Sequence, residues 1–168
     1  MERHATLSPC GKYRYALSRV WDRDKPLMGW IMLNPSTADA EIDDATIRVC
    51  VGRARRMGFG GIRVLNLFNY RATHPTELAR AADPVGPGAD VALETGFGGC
   101  DYIMAAWGNH GTLKGVERPR CEEVLDLFGR AGVKLHALKL TKFSQPAHPL
   151  RIGYDVEPIL WAERGMLT

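Results

Sequence analysis

The sequence predicts an α/β fold: a three-layer α/β/α sandwich around a central four-stranded, mostly parallel sheet, with an N-terminal hairpin added. Three observations carry this reading. Apolar runs of strand length recur at 27–33, 62–67, 102–107 and 134–138. Helical patterns stand between them. Strands joined in that way need long crossovers, which are right-handed and cover both faces of a parallel sheet.

Residues 13–20 (YRYALSRV) alternate and are rich in strand formers, and the polar turn DRDKP at 22–26 leads into 27–33. Together they read as a hairpin whose second arm is the central strand. Asp44 is placed to cap a helix running to about Met57, with Ile47, Cys50, Val51 and Ala54 on one face and Gly58 as its stop. After GFGG the strand 62–67 ends in the loop NYRATHP, and Pro75 starts a short helix. DPVGPG precedes a weaker helix at about 89–97, which leads to the strand 102–107. Pro119 opens a helix with Cys121, Val124, Leu125 and Phe128 at core spacing, closed by Gly132. The strand 134–138, a long polar loop and a last helix from about Val156 to Arg164 complete the chain.

No repeat, linker or low-complexity segment divides residues 1–168, which read as one α/β domain. With 45% hydrophobic and 24% charged residues, a packed soluble core is expected. The apolar runs are too short to cross a bilayer and residues 1–4 open no signal peptide, so a cytoplasmic location with no membrane partner is the expectation. Cys10, Cys50, Cys100 and Cys121 are too dispersed for a short-spaced ligand pair and read as reduced thiols, with a tertiary metal cluster as the alternative. Neither a metal nor a cofactor is expected. There is no P-loop, dinucleotide fingerprint, nucleophile elbow or H-E-x-x-H. A net charge of +3 does not by itself mark a nucleic-acid binder.

In parallel sheets ligands bind outside the carboxyl ends of the strands, so the segments 33–44, 65–75, 106–120 and 140–151 matter most. They bring Asn34, Asn66, Asn69, Asn109, His110 and His148 to one rim, supplying amide forks and titratable imidazoles. Plainer readings stand beside these. Asn34 before Pro35 also starts a turn, Asp43 and Asp44 also serve as a helix cap, and Trp107 also serves as packing. Arg71, Lys114, Arg118, Arg120, Lys142 and Arg151 supply positive charge to the rim. Arg48, Arg53, Arg55 and Arg56, off the apolar face of the first helix, are either solvated or extend that patch.

Two resemblances follow from longer motifs. LMGWIMLNPSTADAEIDDATIRVC, GFGGIRVLNLFNYRATHPTELARAADPVGP, AAWGNHG and QPAHPL resemble the DUF1643 family of small bacterial proteins over nearly the whole chain. More distantly, LNPS at 33–36, VLN at 64–66, AWG at 106–108 and AHPL at 147–150 are similar, in order and placement, to motifs of the uracil-DNA glycosylase superfamily. That likeness implies a glycosylase-like fold, with Asn34 positioning a water, Asn66 reading a base edge, His148 donating to the departing base and Leu150 as a wedge. Two departures stand out: HPL lacks the family's Ser-Pro, and Asn34 replaces the carboxylate of the most active members.

The expected function is a glycosylase-like hydrolase acting on a nucleobase in DNA, a nucleotide or a nucleoside. The alternatives are a binding module without catalysis and a hydrolase of an unrelated small molecule. The expected catalytic set is Asn34, His148, Asp43 and Asp44, because a neutral amide orients water but cannot take its proton. Ser36, Asn66, Asn69, Arg71, Trp107, Asn109 and His110 form the expected substrate wall. Lys114, Arg118, Arg120, Lys142, Leu150 and Arg151 are the expected nucleic-acid contacts. The partner is a nucleobase-containing small molecule or a nucleic acid.

Overall fold

In a computed structural model, which describes residues 1–36, 38–114 and 118–162, the chain forms one seven-stranded mixed sheet covered by helices on both faces. In chain order the strands are β1 (Glu2–Leu7), β2 (Arg14–Val20), β3 (Leu27–Met32), β4 (Gly61–Asn66), β5 (Tyr102–Ala105), β6 (Leu135–Ala137) and β7 (Ile159–Ala162). The helices are α1 (Ala45–Arg56), α2 (Pro75–Arg80), α3 (Ala89–Gly96) and α4 (Arg120–Ala131). Among the described residues no helix is long and apolar enough to cross a membrane.

The sheet order is β1-β2-β4-β3-β5-β6-β7, and its inner strands β4, β3, β5 and β6 are parallel. These are the four strands read from the apolar runs. β3 lies at their centre because five of its six residues are buried, which only a strand covered on both faces and paired on both edges achieves. The chain leaves β3 toward β4 on one side and later returns to β5 on the other. Right-handed crossovers in opposite directions must use opposite faces. Accordingly α1 packs with Met28, Trp30 and Val64 on one face, while α3 and α4 pack with Ile31, Leu65 and Ile103 on the other. The reversal leaves a crevice above the carboxyl ends of β3 and β5.

Three expectations need correction. β2 does not pair with β3: it runs antiparallel to β4, because β3 already has parallel neighbours on both sides. The N-terminal hairpin instead joins β2 to β1, whose exposed, polar residues carry no burial signal. The last helix is also replaced. Pro158 precedes Ile159, Leu160 and Trp161, residues suited to a strand, and they pair antiparallel with β6 while Trp161 packs edge-on against Trp107. Arg164, the expected end of that helix, lies outside the described residues.

The third correction concerns Arg120. It is 1% exposed, so it lies in the core rather than at a nucleic-acid surface. Its guanidinium donates to Leu67 O at 2.8 Å, Glu123 at 2.9 Å and Asp90 at 2.6 Å, tying the start of α4 to the end of β4 and to α3. Arg120→Met removes the donor from a buried carbonyl and two carboxylates, and is expected to lower the unfolding free energy by about 3 kcal/mol in urea titrations. Lys114→Ala, at an exposed position, is expected to change it by less than about 0.5 kcal/mol.

Candidate functional site

The crevice holds a cavity of about 570 Å³ lined from all four parallel-strand loops. Asn34, Ser36 and Asp44 come from the segment after β3, Asn66 from the end of β4, Trp107, Asn109 and His110 from beyond β5, and Thr141 and His148 from beyond β6. Arg14, at the start of β2, closes the wall.

The register sets the floor. Met32 and Asn66 are opposed partners in the β3–β4 ladder, so Asn66 sits beside the point where β3 breaks into its loop. Asn66 is 1% exposed, and neither its Oδ1 nor its Nδ2 has a hydrogen-bond partner among the described residues. Buried polar atoms are nearly always paired, so an amide with both ends unspent in a cavity wall marks a place for a ligand or ordered water. Asn34 differs. Its Nδ2 donates to Pro35 O at 3.0 Å and Ala72 O at 2.7 Å, and Ala72 N returns a bond to Pro35 O, which clasps the loops after β3 and β4 together. The Nδ2 donor is thereby spent on the clasp, and Asn34 still lines the cavity.

Of the acidic candidates, Asp44 reaches the cavity. Its Oδ1 caps α1 by accepting from Ile47 N at 2.8 Å. Asp43 is held away from the cavity by Arg19 Nε at 2.7 Å and by Arg3 at 3.3 Å. Asp39 spends its Oδ1 on the backbone N–H groups of Glu41 and Ile42.

His148 is delivered by the loop after β6. Ala147 N bonds Lys139 O at 2.8 Å, Pro149 is buried, and Arg53 on α1 donates to the carbonyls of Ile152, Gly153 and Val156 just beyond. Nδ1 of His148 accepts from Leu150 N at 3.4 Å, which in the neutral ring places the proton on Nε2. Desolvation lowers the His148 pKa below the ordinary imidazole value, against the opposing pull of the Asp44 charge. Trp107 is 2% exposed, and its indole N–H donates to Gln145 at 2.9 Å. Gly111 lies so close that a Cβ there would strike that ring.

Arg14 is the wall residue the sequence reading missed. The β1–β2 ladder slips between Thr6 and Leu7, whose partners are Ala16 and Arg14, so Tyr15 is an extra residue. Such a bulge reverses the alternation, and Arg14 joins Leu17 and Arg19 among the buried positions of β2. Burial pushes its pKa down to about 10. A break in alternation next to an arginine is the signal that was available.

The other candidates stand elsewhere. Asn69 is buried outside the cavity lining, with Nδ2 unpaired, and Arg71 lines an adjoining groove of about 320 Å³ with Lys12 and Ser36. Lys114, Arg118, Lys142, Leu150 and Arg151 are exposed and none lines the cavity. Arg118 pairs with Asp126, and Lys142 lies over the Phe143 ring. The α1 arginines are spent internally: Arg48 on Asp43 O, Arg53 on three carbonyls, Arg55 on the Trp21 ring and Arg56 on the Tyr154 ring.

A larger, mainly apolar cleft of about 810 Å³ opens at the amino ends of β5 and β6. Its lining has one buried polar atom without a partner, His136 Nδ1, whereas the smaller cavity has three, Arg14 Nε and both Asn66 side-chain atoms. Chemistry therefore points to the smaller one. Among the described residues no three of His, Cys, Asp and Glu are gathered as metal ligands.

The family model for DUF1643, a protein of unknown function, matches residues 14–150. The chain belongs to the DUF1643 family. The matched region begins at Arg14 and ends two residues beyond His148, so it encloses every residue of the cavity wall. No curated protein and no solved structure matches the chain. The likeness to uracil-DNA glycosylases accordingly rests on the loop motifs alone.

Half-buried His136, and His148 at the exposed rim of the cavity, both have lowered pKa values, which makes acid stability a test of this geometry. His136 stacks on Tyr102 at 3.9 Å, and burial lowers its pKa as it does that of His148. The unfolded chain binds protons near 6.5 and the folded chain only at lower pH, so stability present above that value is lost as pH falls through the lowered values. Urea midpoints are expected to decline from pH 7 to pH 5. Asp44→Asn, which keeps a good cap, should move the His148 imidazole titration observed by NMR further down, because it removes the charge that favours the protonated ring.

Proposed function

We propose that this DUF1643 protein is a glycosylase-like hydrolase that cleaves the N-glycosidic bond of a nucleobase carried by a nucleotide, a nucleoside or DNA. The observation that carries this reading is Asn66, whose amide donor and acceptor both stand unpaired on the floor of the cavity. A base edge presents a complementary acceptor and donor side by side. Trp107 supplies an aromatic wall for the base. The order of LNPS, VLN, AWG and AHPL supports the same assignment by resemblance.

The roles follow from the chemistry. As the C–N bond breaks, its electron pair moves to the base and positive charge develops on the sugar. The Nε2–H of neutral His148 and the Asn66 amide stabilise the departing base. Asn34 Oδ1 and the Asp44 carboxylate hold the attacking water, whose oxygen bonds the sugar carbon while its proton passes to Asp44 and then to the base. Asp44 replaces the missing carboxylate at position 34, and Asp43 is removed from the proposed catalytic set by its ion pairs. The nucleic-acid surface is likewise narrowed, since Arg120 is buried.

Binding without turnover is the second reading: Asn34, a neutral amide, stands where the most active glycosylases carry a carboxylate, and its Nδ2 bond to Ala72 O is a structural tie between two loops. The two readings separate in one assay. Purified protein is incubated with nucleosides, nucleotides and oligonucleotides of varied base, and free base is followed by mass spectrometry. Release that drops about 100-fold or more in Asn66→Ala, His148→Ala and Asp44→Asn, with circular dichroism unchanged, is the expected result. Binding without release in the same panel leaves the pocket a receptor.

A further inference from the structure

Among the described residues four arginines are almost wholly buried, Arg14, Arg19, Arg53 and Arg120, and their partners differ. Arg19 contacts the Asp43 carboxylate and three carbonyls, Arg120 two carboxylates and a carbonyl, and Arg53 three carbonyls. To the described residues Arg14 makes one side-chain bond, from Nη1 to Ala38 O at 2.6 Å. Its Nε–H is buried without a partner, as that of Arg53 is, but of the two only Arg14 lines the cavity. A guanidinium that is 3% exposed and touches no carboxylate is costly to the folded state unless something supplies the negative charge.

The surrounding charges do not supply it by contact. Asp44 and Asp39 act on Arg14 only through space, and Arg71 and Arg19 oppose it from nearby. Asp39 is turned to backbone N–H groups, and Asp43 is held by Arg19 and Arg3. Arg71 lines the groove that meets the cavity along Ser36, Ala72 and Thr73. Two guanidinium groups thus flank one opening. In that groove Glu77 is engaged as an acceptor for Thr73 N at 3.0 Å.

We infer that Arg14 anchors a terminal phosphate of the ligand, so that the cavity takes a nucleoside monophosphate rather than a free nucleoside or a polymer strand. This inference rests on the base-binding reading above for the nucleoside part. A terminal phosphate matches the fork of a guanidinium and brings the missing charge to a buried side chain. A continuous strand needs a basic track leading in, and the exposed Lys114, Arg118, Lys142 and Arg151 all stand off the cavity lining. Reaching Arg14 from there is a task for the end of a small ligand.

The test is calorimetric binding of the full chain to inorganic phosphate, to a panel of nucleosides and their 5′-monophosphates, and to a single-stranded oligonucleotide. For at least one base the monophosphate is expected to bind about tenfold or more tighter than its nucleoside. Arg14→Gln should reduce that ratio to near one, with Arg14→Lys between. A second measurement needs no variant: phosphate, but not chloride at matched ionic strength, should shift the Arg14 Nε–H resonance. A ratio near one in the unaltered protein, a ratio unchanged in Arg14→Gln, an unmoved resonance, or tighter binding of the oligonucleotide than of any monophosphate would each overturn the assignment. The hydrolase reading fails separately. If no base is released and Asn66→Ala leaves the base preference intact, the phosphate anchor survives without it. Equal affinity with base release would leave the hydrolase standing and remove the anchor.

Discussion

The site depends on two buried guanidinium groups that hold a polar loop against the sheet. The segment after β3 leaves the most buried strand of the protein and must turn back to start α1, carrying Asp39, Asp43 and Asp44 with it. Arg14 and Arg19 meet it from β2: Arg14 bonds Ala38 O at 2.6 Å, and Arg19 bonds Asp39 O at 2.5 Å and Asp43 at 2.7 Å. Loop carbonyls that would otherwise face an apolar interior thereby gain charged donors, and charge-assisted bonds are the stronger kind. Because the loop is held at both Ala38 and Asp43, Asp44 is placed to cap α1 beside the cavity.

The same arrangement explains where positive charge goes. A net charge of +3 with basic strand loops suggests a surface for phosphates, yet the arginines divide by task once the chain is folded. Arg19, Arg53 and Arg120 are structural cations, each bonded to carbonyls or carboxylates from other elements. Arg55 and Arg56 cover aromatic rings. Arg14 stands in the cavity wall, and Arg71 lines the adjoining groove with Lys12.

Unspent polarity is concentrated at the carboxyl ends of β3, β4 and β5. Asn66 and Arg14 keep buried polar atoms without partners there, a cost that the rest of the fold offsets through the apolar clusters on both faces of the sheet. Rigid support surrounds them. Asn34 clasps two loops, Gln145 and Gly111 fix the Trp107 ring, and Arg53 secures the segment beyond His148. Loops and a ring so held keep the cavity walls in place without a ligand, which is the preorganisation that both binding and electrostatic catalysis require.

By itself the sequence determined the parts whose signals are local. The four parallel strands follow from apolar runs, the Asp44 cap and α1 from a cap residue and helical spacing, and Asn34, Asn66, Trp107 and His148 from their places after strand ends. Tertiary structure decided what depends on a neighbour. β1 and β7 are edge strands whose exposed residues carry no burial pattern, so only pairing with β2 and β6 makes them strands. Arg120 reads as a surface cation beside Pro119, and it is buried because Leu67 O, Asp90 and Glu123 converge on it from three elements. Arg14 enters the cavity wall through a one-residue slip in the β1–β2 ladder. Periodicity reports how a residue faces along its own strand or helix; the partner that meets a buried charge lies elsewhere in the chain, and only folding brings it there.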